Sequence, residues 1–132
     1  MQQPAARAYP AAGLLVLRER IAMEEKYIVV LTSVGTKQFA HDLAQSMVRA
    51  RLAACVQIQR VESVYRWQEK VCSEPEYVLA IKTAGDRYAE LEKFIRANHS
   101  YETPEIVRVE IAGGSREYLG WIGESVTDGD AG

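Results

Sequence analysis

The densest group of side chains able to do chemistry lies in one short stretch, residues 98–105. It contains an imidazole (His99), a phenol (Tyr101) and two carboxylates (Glu102 and Glu105). Imidazole exchanges protons near neutral pH and ligates divalent metals, and a nearby carboxylate can fix its tautomer. The alternative is structural, because a histidine at a helix C-terminus hydrogen-bonds the last carbonyls and favours the helix dipole. The pattern leaves both interpretations open.

The other candidate residues favour structural roles. Cys55 lies between Ala54 and Val56, and a thiol in an apolar strand is usually a small buried hydrophobe. The second histidine, His41, is isolated on a polar helix face. The sequence contains no CxxC, HExxH, GxSxG, P-loop or dinucleotide-binding motif. Nothing in it therefore assembles a nucleophile, a base and an oxyanion hole.

Composition excludes several classes of protein. Hydrophobic residues make up 48% and charged residues 26% of the 132 residues, which is ordinary for one soluble globular domain. The formal net charge is -2 and there is no run of lysine or arginine, so we expect no nucleic-acid partner. No stretch approaches the roughly 20 apolar residues of a membrane helix, and we expect no membrane partner.

The chain divides into an extension, a domain and a tail. We predict an N-terminal extension over residues 1–22, a domain over residues 23–126 and a polar tail over residues 127–132. Residues 8–17 faintly resemble a secretory signal, but Pro10 and Gly13 interrupt the apolar run and charged residues follow it directly. Met23 is an alternative start.

Residues 53–83 are predicted to form one long β-hairpin. In its first arm Val56 and Ile58 occupy one phase of the strand alternation, and Val61, Tyr65 and Trp67 then occupy the other. Because strand side chains repeat every two residues, this phase change predicts a β-bulge at Gln59-Arg60. The return arm, residues 77–81, is apolar on both phases, which is typical of a central strand covered on both faces.

The hairpin is longer than so small a domain needs. With its turn near residues 68–70, the outgoing arm runs to about 14 residues, against a usual upper limit of roughly 10. The same pairing places Cys72 roughly 33 Å along the strand from Cys55, whereas a disulfide needs Cα atoms within about 7 Å. We therefore predict two free thiols, which favour a reducing compartment, the cytoplasm.

Two further strands and three helices complete the predicted order. Residues 26–31 form a continuous β-branched run typical of a buried strand, and residues 105–111 alternate as a partly exposed strand does. Thr36, Asp86 and Ser115 are each placed to cap a helix by accepting a hydrogen bond from a first-turn amide. The first helix is predicted to reach about residue 52, and the last is short.

This order, βαββαβ with a short C-terminal helix, predicts an α+β, ferredoxin-like fold with an antiparallel sheet, an overlong β2-β3 hairpin and both main helices on one face. Right-handed crossovers place the first and third strands at the sheet centre. One small helix cannot cover the second face. We therefore predict a homo-oligomer whose sheets pack face to face and whose long hairpins pair at their edges.

Several segments of residues 26–125 resemble the CutA divalent-cation tolerance proteins. The matching segments, in family order and spacing, are Leu52-Ala53-Ala54-Cys55-Val56, Tyr65-Arg66-Trp67, Lys82-Thr83, His99 with Tyr101-Glu102-Thr103-Pro104-Glu105-Ile106, and Tyr118-Leu119-Gly120-Trp121-Ile122. The resemblance implies a ferredoxin-like subunit in a tight homotrimer, usually cytoplasmic, linked to tolerance of copper and other divalent cations and with no established enzymatic activity. Two departures are Glu69, where a turn glycine is common, and Ser100, where the family often has proline.

The resemblance also bears on metal binding. In some bacterial members a proposed copper site uses a cysteine that ends the first strand and a histidine pair that ends the second helix. The aligned positions here are Thr32, Asn98 and His99, so one of three ligands remains. Because Cu(I) prefers thiolate and imidazole, we expect a divalent cation (Cu, Zn or similar) to be weakly held or absent at that position. The surviving metal hypothesis is His99 with Glu102 or Glu105, shared between subunits.

Three functions remain open. The resemblance favours a trimeric, non-catalytic protein that binds or responds to metal ions. A second hypothesis is a ligand-sensing signalling module like the PII proteins, which share this subunit fold and trimer; it requires a phosphate-binding nest or a basic pocket, and the sequence shows none clearly. A third is a small-molecule enzyme using His99 and Glu102 as an acid–base pair, with Tyr101 nearby. Fold alone does not choose among them.

Overall fold

A computed structural model describes residues 26–127. Its elements are β1 (Tyr27–Val34), α1 (Lys37–Arg49), β2 (Cys55–Trp67), β3 (Lys70–Ala84), α2 (Tyr88–Asn98), β4 (Val107–Glu110) and α3 (Arg116–Val126), with a 3-10 turn, Gly85–Arg87, between β3 and α2. The strands form one antiparallel sheet in the order β2-β3-β1-β4. The predicted ferredoxin-like fold, with β1 and β3 central, is confirmed. The predicted extension and most of the predicted tail, residues 128–132, lie outside the described residues.

Helices α1 and α2 cover one face of the sheet. Ile28 and Val30 of β1 and Ile81 of β3 are fully buried in a core that includes Met47 of α1 and Ile95 of α2. The alternation of β1 places these side chains beneath the helices and the intervening residues on the opposite face. β1 and β3 carry apolar side chains on both faces because apolar residues pack on both faces at the centre of the sheet.

Helix α3 lies on the opposite face, at one end of the sheet. Its residues Leu119, Ile122 and Val126 form a second core with Tyr27 and Ala84, which are cross-strand partners in β1 and β3. The strand alternation points this pair away from α1 and α2. The second face is therefore partly covered by its own chain.

The rest of this second face is open and largely apolar, although Lys82 of β3 and Gln57 and Gln59 of β2 also lie on it. We call it the open sheet face, and the pairing register assigns to it Val29, Leu31, Val78, Ala80, Val107 and Val109. Val107 and Val109 are each 45% exposed. Apolar strand residues at this exposure leave a surface that residues 26–127 of one chain do not cover.

The hairpin of β2 and β3 is a continuous ladder. All 13 residues of β2 pair in one register, from Cys55 with Lys82 to Trp67 with Lys70. The β-bulge predicted at Gln59-Arg60 is therefore wrong. The apolar pattern changes phase because its surroundings change along a continuous strand. Val56 and Ile58 pack on the core beneath the helices, whereas Val61, Tyr65 and Trp67 lie on the other face.

The hairpin extends well beyond the rest of the sheet. β1 pairs with β3 only from Tyr77 to Ala84, so within residues 26–127 no third strand pairs with the half of the hairpin nearer its turn. The ladder pairs Cys72 with Tyr65, far from Cys55. Both thiols are free, as predicted.

Several element boundaries differ from the prediction. β1 continues to Val34 rather than ending at residue 31, because Ser33 and Val34 pair with Val78 and Tyr77 of β3. β4 is shorter than predicted, with four residues, and α1 ends at Arg49.

Two predicted helix caps are confirmed and one is wrong. The backbone N–H of Phe39 donates to Thr36 Oγ1 over 3.1 Å, and Ser115 caps α3 in the same way. Asp86 does not cap α2, because the 3-10 turn moves the start of that helix and the cap position falls on Arg87, whose side chain makes no capping bond.

A two-residue turn joins β2 to β3. Its central residues, Gln68 and Glu69, have φ of 50° and 66°, as in the type I′ turns whose twist matches that of a hairpin. Side chains with a Cβ adopt this left-handed region at a cost of roughly 1–2 kcal/mol per residue.

Glu69→Gly is expected to raise the free energy of unfolding by about 0.5–1 kcal/mol, because glycine adopts positive φ without the Cβ penalty. Glu62→Gly, at an exposed position within β2, is the matched control and is expected to lower the free energy by a similar amount. Denaturant titrations at equal protomer concentration measure both. A loss of stability in the first variant would contradict the turn geometry.

Candidate functional site

The predicted site lies where α2 leads into β4. His99 ends α2 with extended backbone geometry. Asn98 closes the last turn, since its Nδ2 donates to the carbonyl of Phe94 over 2.9 Å. The chain then crosses the end of β1 and returns to the sheet at Val107. This path brings His99 against Ser33, near the end of β1.

Both nitrogens of the His99 ring are hydrogen-bonded. Nε2 lies 2.8 Å from the carbonyl oxygen of Ser33, and Nδ1 accepts the backbone N–H of Tyr101 at 3.0 Å. Since a carbonyl accepts and a backbone N–H donates, the proton must be on Nε2. The ring therefore ties the loop after α2 to the end of β1.

Aromatic neighbours hold the imidazole from two sides. The rings of His99 and Tyr101 lie with centroids 4.7 Å apart, and Phe39 of α1 meets His99 edge-on at 6.1 Å. The Tyr101 hydroxyl donates to Glu76 Oε2 over 2.9 Å. A Cβ at Gly35 would lie 3.4 Å from the same hydroxyl, so the loop after β1 also packs closely on Tyr101.

The environment of Tyr101 keeps its phenol protonated. Burial, and then the hydrogen bond to Glu76, raise the pKa of Tyr101 to about 12. The nearby carboxylate disfavours a phenolate and favours the neutral donor. Tyr101 consequently holds its proton near neutral pH and acts as a structural donor.

This pKa predicts a late phenolate titration. Tyr101→Phe is expected to remove a component with a midpoint near pH 12 from the phenolate absorbance of the wild type. Because the folded pKa lies above the ordinary value of 10.0, the stability that Tyr101 supplies is complete below about pH 10 and is lost as the pH rises to about 12. Tyr65→Phe, which removes a phenol of similar exposure that is bonded to Glu74, is the control. A Tyr101 midpoint near 10 would contradict this environment.

The predicted carboxylates are placed differently from one another. Both are exposed, but Glu105 Oε1 lies 3.5 Å from Ser33 Oγ and so shares a neighbour with His99. Within residues 26–127 no group of three His, Cys, Asp or Glu side chains is arranged to hold a metal ion. A single subunit therefore presents His99, Glu102 and Glu105 without a formed metal centre.

The positions aligned with the bacterial copper site also have local roles. Thr32 is fully buried, and its Oγ1 has no hydrogen-bond partner among the described residues. The Asn98 amide is occupied by the Phe94 carbonyl. Cys55 and Cys72 lie on the hairpin, away from His99.

The residues that hold the site together were not predicted from the sequence. The Ser33 carbonyl and the Glu76 carboxylate are separated from His99 and Tyr101 by 66 and 25 positions. No local pattern marks them. Recognising that β1 extends to Val34 would have indicated the contact with His99, because this extension places Ser33 at the end of the sheet that the loop crosses.

The model of the CutA1 divalent ion tolerance protein family matches residues 28–125. The chain belongs to this family. A divalent-cation tolerance protein CutA of Thermus thermophilus is 42% identical over 104 residues, which cover 78% of this chain and 98% of that protein. The chloroplastic protein CutA of Arabidopsis thaliana is 42% identical over 99 residues, 74% of this chain and 54% of the longer relative. The resemblance to CutA is thus confirmed.

Solved CutA structures share the fold. The CutA structure from Synechococcus elongatus superposes with a TM-score of 0.76 at 33% identity, covering 78% of this chain and 92% of that one. CutA1 from Thermus thermophilus gives 0.72 at 41% identity and covers 75% and 97%. The names of CutA relatives describe divalent-cation tolerance rather than a reaction. Across residues 26–127, no helix has the length and apolar character needed to cross a bilayer.

Proposed function

We propose that this protein is a homotrimeric, non-catalytic member of the CutA family that binds or responds to divalent metal ions such as copper. Its membership of a divalent ion tolerance family is the observation that supports the metal role most directly. The surroundings of His99 and Tyr101, which were considered for acid–base catalysis, support a non-catalytic role. Both ring nitrogens of His99 are hydrogen-bonded, and the pKa of Tyr101 is raised to about 12 by burial and by Glu76.

The open sheet face supports self-association. It is largely apolar, and Val107 and Val109 remain 45% exposed in the single chain. Packing this face against other copies removes apolar surface from water, which stabilises association by about 25 cal/mol per Å². The long hairpin carries Val61 and Tyr65 on the same side of the sheet, so the surface available to other copies extends along it. The choice of three copies follows the resemblance to CutA.

The proposed metal ligands are His99 with Glu102 or Glu105. Because both nitrogens of His99 are hydrogen-bonded, ligation requires one of them to give up the Ser33 carbonyl or the Tyr101 amide. The described residues of one subunit do not gather three ligands. We therefore propose that a neighbouring subunit completes the coordination.

The cytoplasm is the proposed location. The free thiols of Cys55 and Cys72 fit a reducing compartment. Relatives occupy more than one location, since the Arabidopsis thaliana protein is named as chloroplastic and the Archaeoglobus fulgidus structure as periplasmic. Location therefore varies among relatives of similar fold.

Native mass spectrometry with Cu, Zn and Cd titrations tests assembly and metal binding together. The wild type is expected as a trimer with a defined metal stoichiometry, which His99→Ala lowers. His41→Ala is the matched control, because it removes the other histidine of the chain. Equal stoichiometry in wild type and His99→Ala would exclude His99 as a ligand. A monomer would refute the trimer, and absence of specific binding would refute the metal role.

A further inference from the structure

A groove runs along α1 on the helix-covered side of the sheet. It consists of two adjoining cavities of about 350 and 450 Å³, which share His41, Val56 and Ile58. One wall is a face of α1 and the other is the edge strand β2. We call it the α1–β2 groove.

The floor of the α1–β2 groove is apolar. Val56 and Ile58 are partly buried against the core, and Tyr77 closes one end. On α1, Ala44 and Val48 face the same space. Each cavity falls within the range of roughly 300–1,000 Å³ that is common for small-molecule sites.

The rim of the α1–β2 groove is cationic. Its charged lining residues are Lys37, Arg49 and Arg60, with His41 between them, and no carboxylate of the described part of the chain lines either cavity. This is a local excess of positive charge on a chain of net charge -2. Oriented cations at the mouth of a cleft attract anions and raise their local concentration.

The cations of the rim are not neutralised by carboxylates of the described chain. Lys37 and Arg60 form no ion pair within residues 26–127. Arg49 donates to the neutral amide oxygen of Gln45 at 3.4 Å. Asp42, the carboxylate of α1, accepts instead from Gln38 over 2.9 Å. An anion entering the groove would therefore meet no competing acidic partner on its lining.

We propose that the α1–β2 groove binds a small organic anion with an apolar body, of the class of aryl phosphates and aryl carboxylates. The apolar body lies on Val56 and Ile58, and the anionic group lies between Lys37 and Arg60. Charge-assisted hydrogen bonds from ammonium and guanidinium groups supply the anchor. The site contains none of the proposed metal ligands and lies on the opposite side of the sheet from the open sheet face. It therefore differs in its residues from the proposed metal centre.

Isothermal titration calorimetry of the full chain with 1-naphthyl phosphate tests this site. We expect saturable binding of this probe, and binding weaker by about tenfold or more for inorganic phosphate, which lacks the body, and for 1-naphthol, which lacks the charge. Equal affinity for 1-naphthol would refute the role of the cations. Absence of saturable 1-naphthyl phosphate binding at millimolar concentration would overturn the proposal.

A charge-matched pair of variants tests the residues. Lys37→Gln with Arg60→Gln is expected to weaken 1-naphthyl phosphate binding about tenfold or more. Lys93→Gln with Arg66→Gln makes the same change in net charge at exposed positions outside the groove, and is expected to leave the affinity within about twofold. Equal weakening by both pairs would show a non-specific charge effect and contradict the site.

The position of the probe can be observed without any variant. In methyl NMR spectra of the wild type, 1-naphthyl phosphate is expected to shift the resonances of Val56 and Ile58, and to leave those of Val107 and Val109 unchanged. The two pairs lie on opposite sides of the sheet. Shifts confined to Val107 and Val109 would assign the binding to the open sheet face and refute the groove.

Discussion

Val109→Asp is expected to convert the assembled protein into a monomer. Val109 lies opposite Val29 on the edge strand β4, within the open sheet face, and is 45% exposed in the single chain. Burying an unpaired carboxylate there costs several kcal/mol, and like charges brought together by symmetry add to that cost. We expect the association constant to fall about hundredfold or more. Sedimentation or light scattering over a range of micromolar concentrations measures it.

Val48→Asp is the matched control for this experiment. Val48 is a valine of similar exposure, 43%, but it lies on α1, on the other side of the sheet. The control is expected to keep the assembly of the wild type. Circular dichroism of both variants verifies that the subunit remains folded. A Val109→Asp protein that assembles like the wild type would remove the open sheet face from the proposed interface.

Ile122→Ala is expected to lower the free energy of unfolding by about 2–5 kcal/mol. Ile122 is fully buried in the second core, between Leu119 and Val126 and against Tyr27. Truncation removes apolar contacts and leaves a cavity beneath α3. Collapse of the cavity is restricted because Gly123 already approaches the Tyr27 ring closely. Denaturant titration at fixed protomer concentration measures the loss.

Glu124→Ala serves as the control on the same helix. Its side chain is exposed, and surface substitutions of this kind usually change stability by less than about 0.5 kcal/mol. A large effect at Glu124, or a negligible one at Ile122, would show that α3 does not pack on the sheet as described. The comparison separates burial from helix propensity, since alanine is a good helix former at both positions.

Local signals explain most of what the sequence revealed about the fold. The caps at Thr36 and Ser115 were predictable because each depends on a side-chain hydroxyl that accepts a hydrogen bond from the backbone N–H three residues later. Asp86 had the same signature, but the 3-10 turn before α2 depends on how the chain leaves β3. The bulge at Gln59-Arg60 was inferred from a change of phase in the apolar pattern. That change occurs where the helices no longer cover β2, and tertiary packing determines where this happens.

The candidate site depends on tertiary contacts to a greater extent. The sequence marked His99 as notable, but the partners of its ring nitrogens are Ser33 and the backbone of Tyr101. The α1–β2 groove was not predicted at all. Lys37 lies on α1 and Arg60 lies on β2. The two cations reach the same cleft only because α1 packs beside β2. Because these cations are far apart in the sequence, no run of lysine or arginine marks the groove.

The unbroken ladder of the hairpin limits how its length can change. Its two sides differ in their neighbours, with Tyr65 and Trp67 on the side of the open sheet face and Arg66 on the other. Removing one residue from each arm would preserve pairing but transfer every side chain nearer the turn to the opposite side. Removing two from each arm would preserve both sides and shorten the hairpin by roughly 7 Å. Functional variation in this arm is therefore confined to steps of four residues.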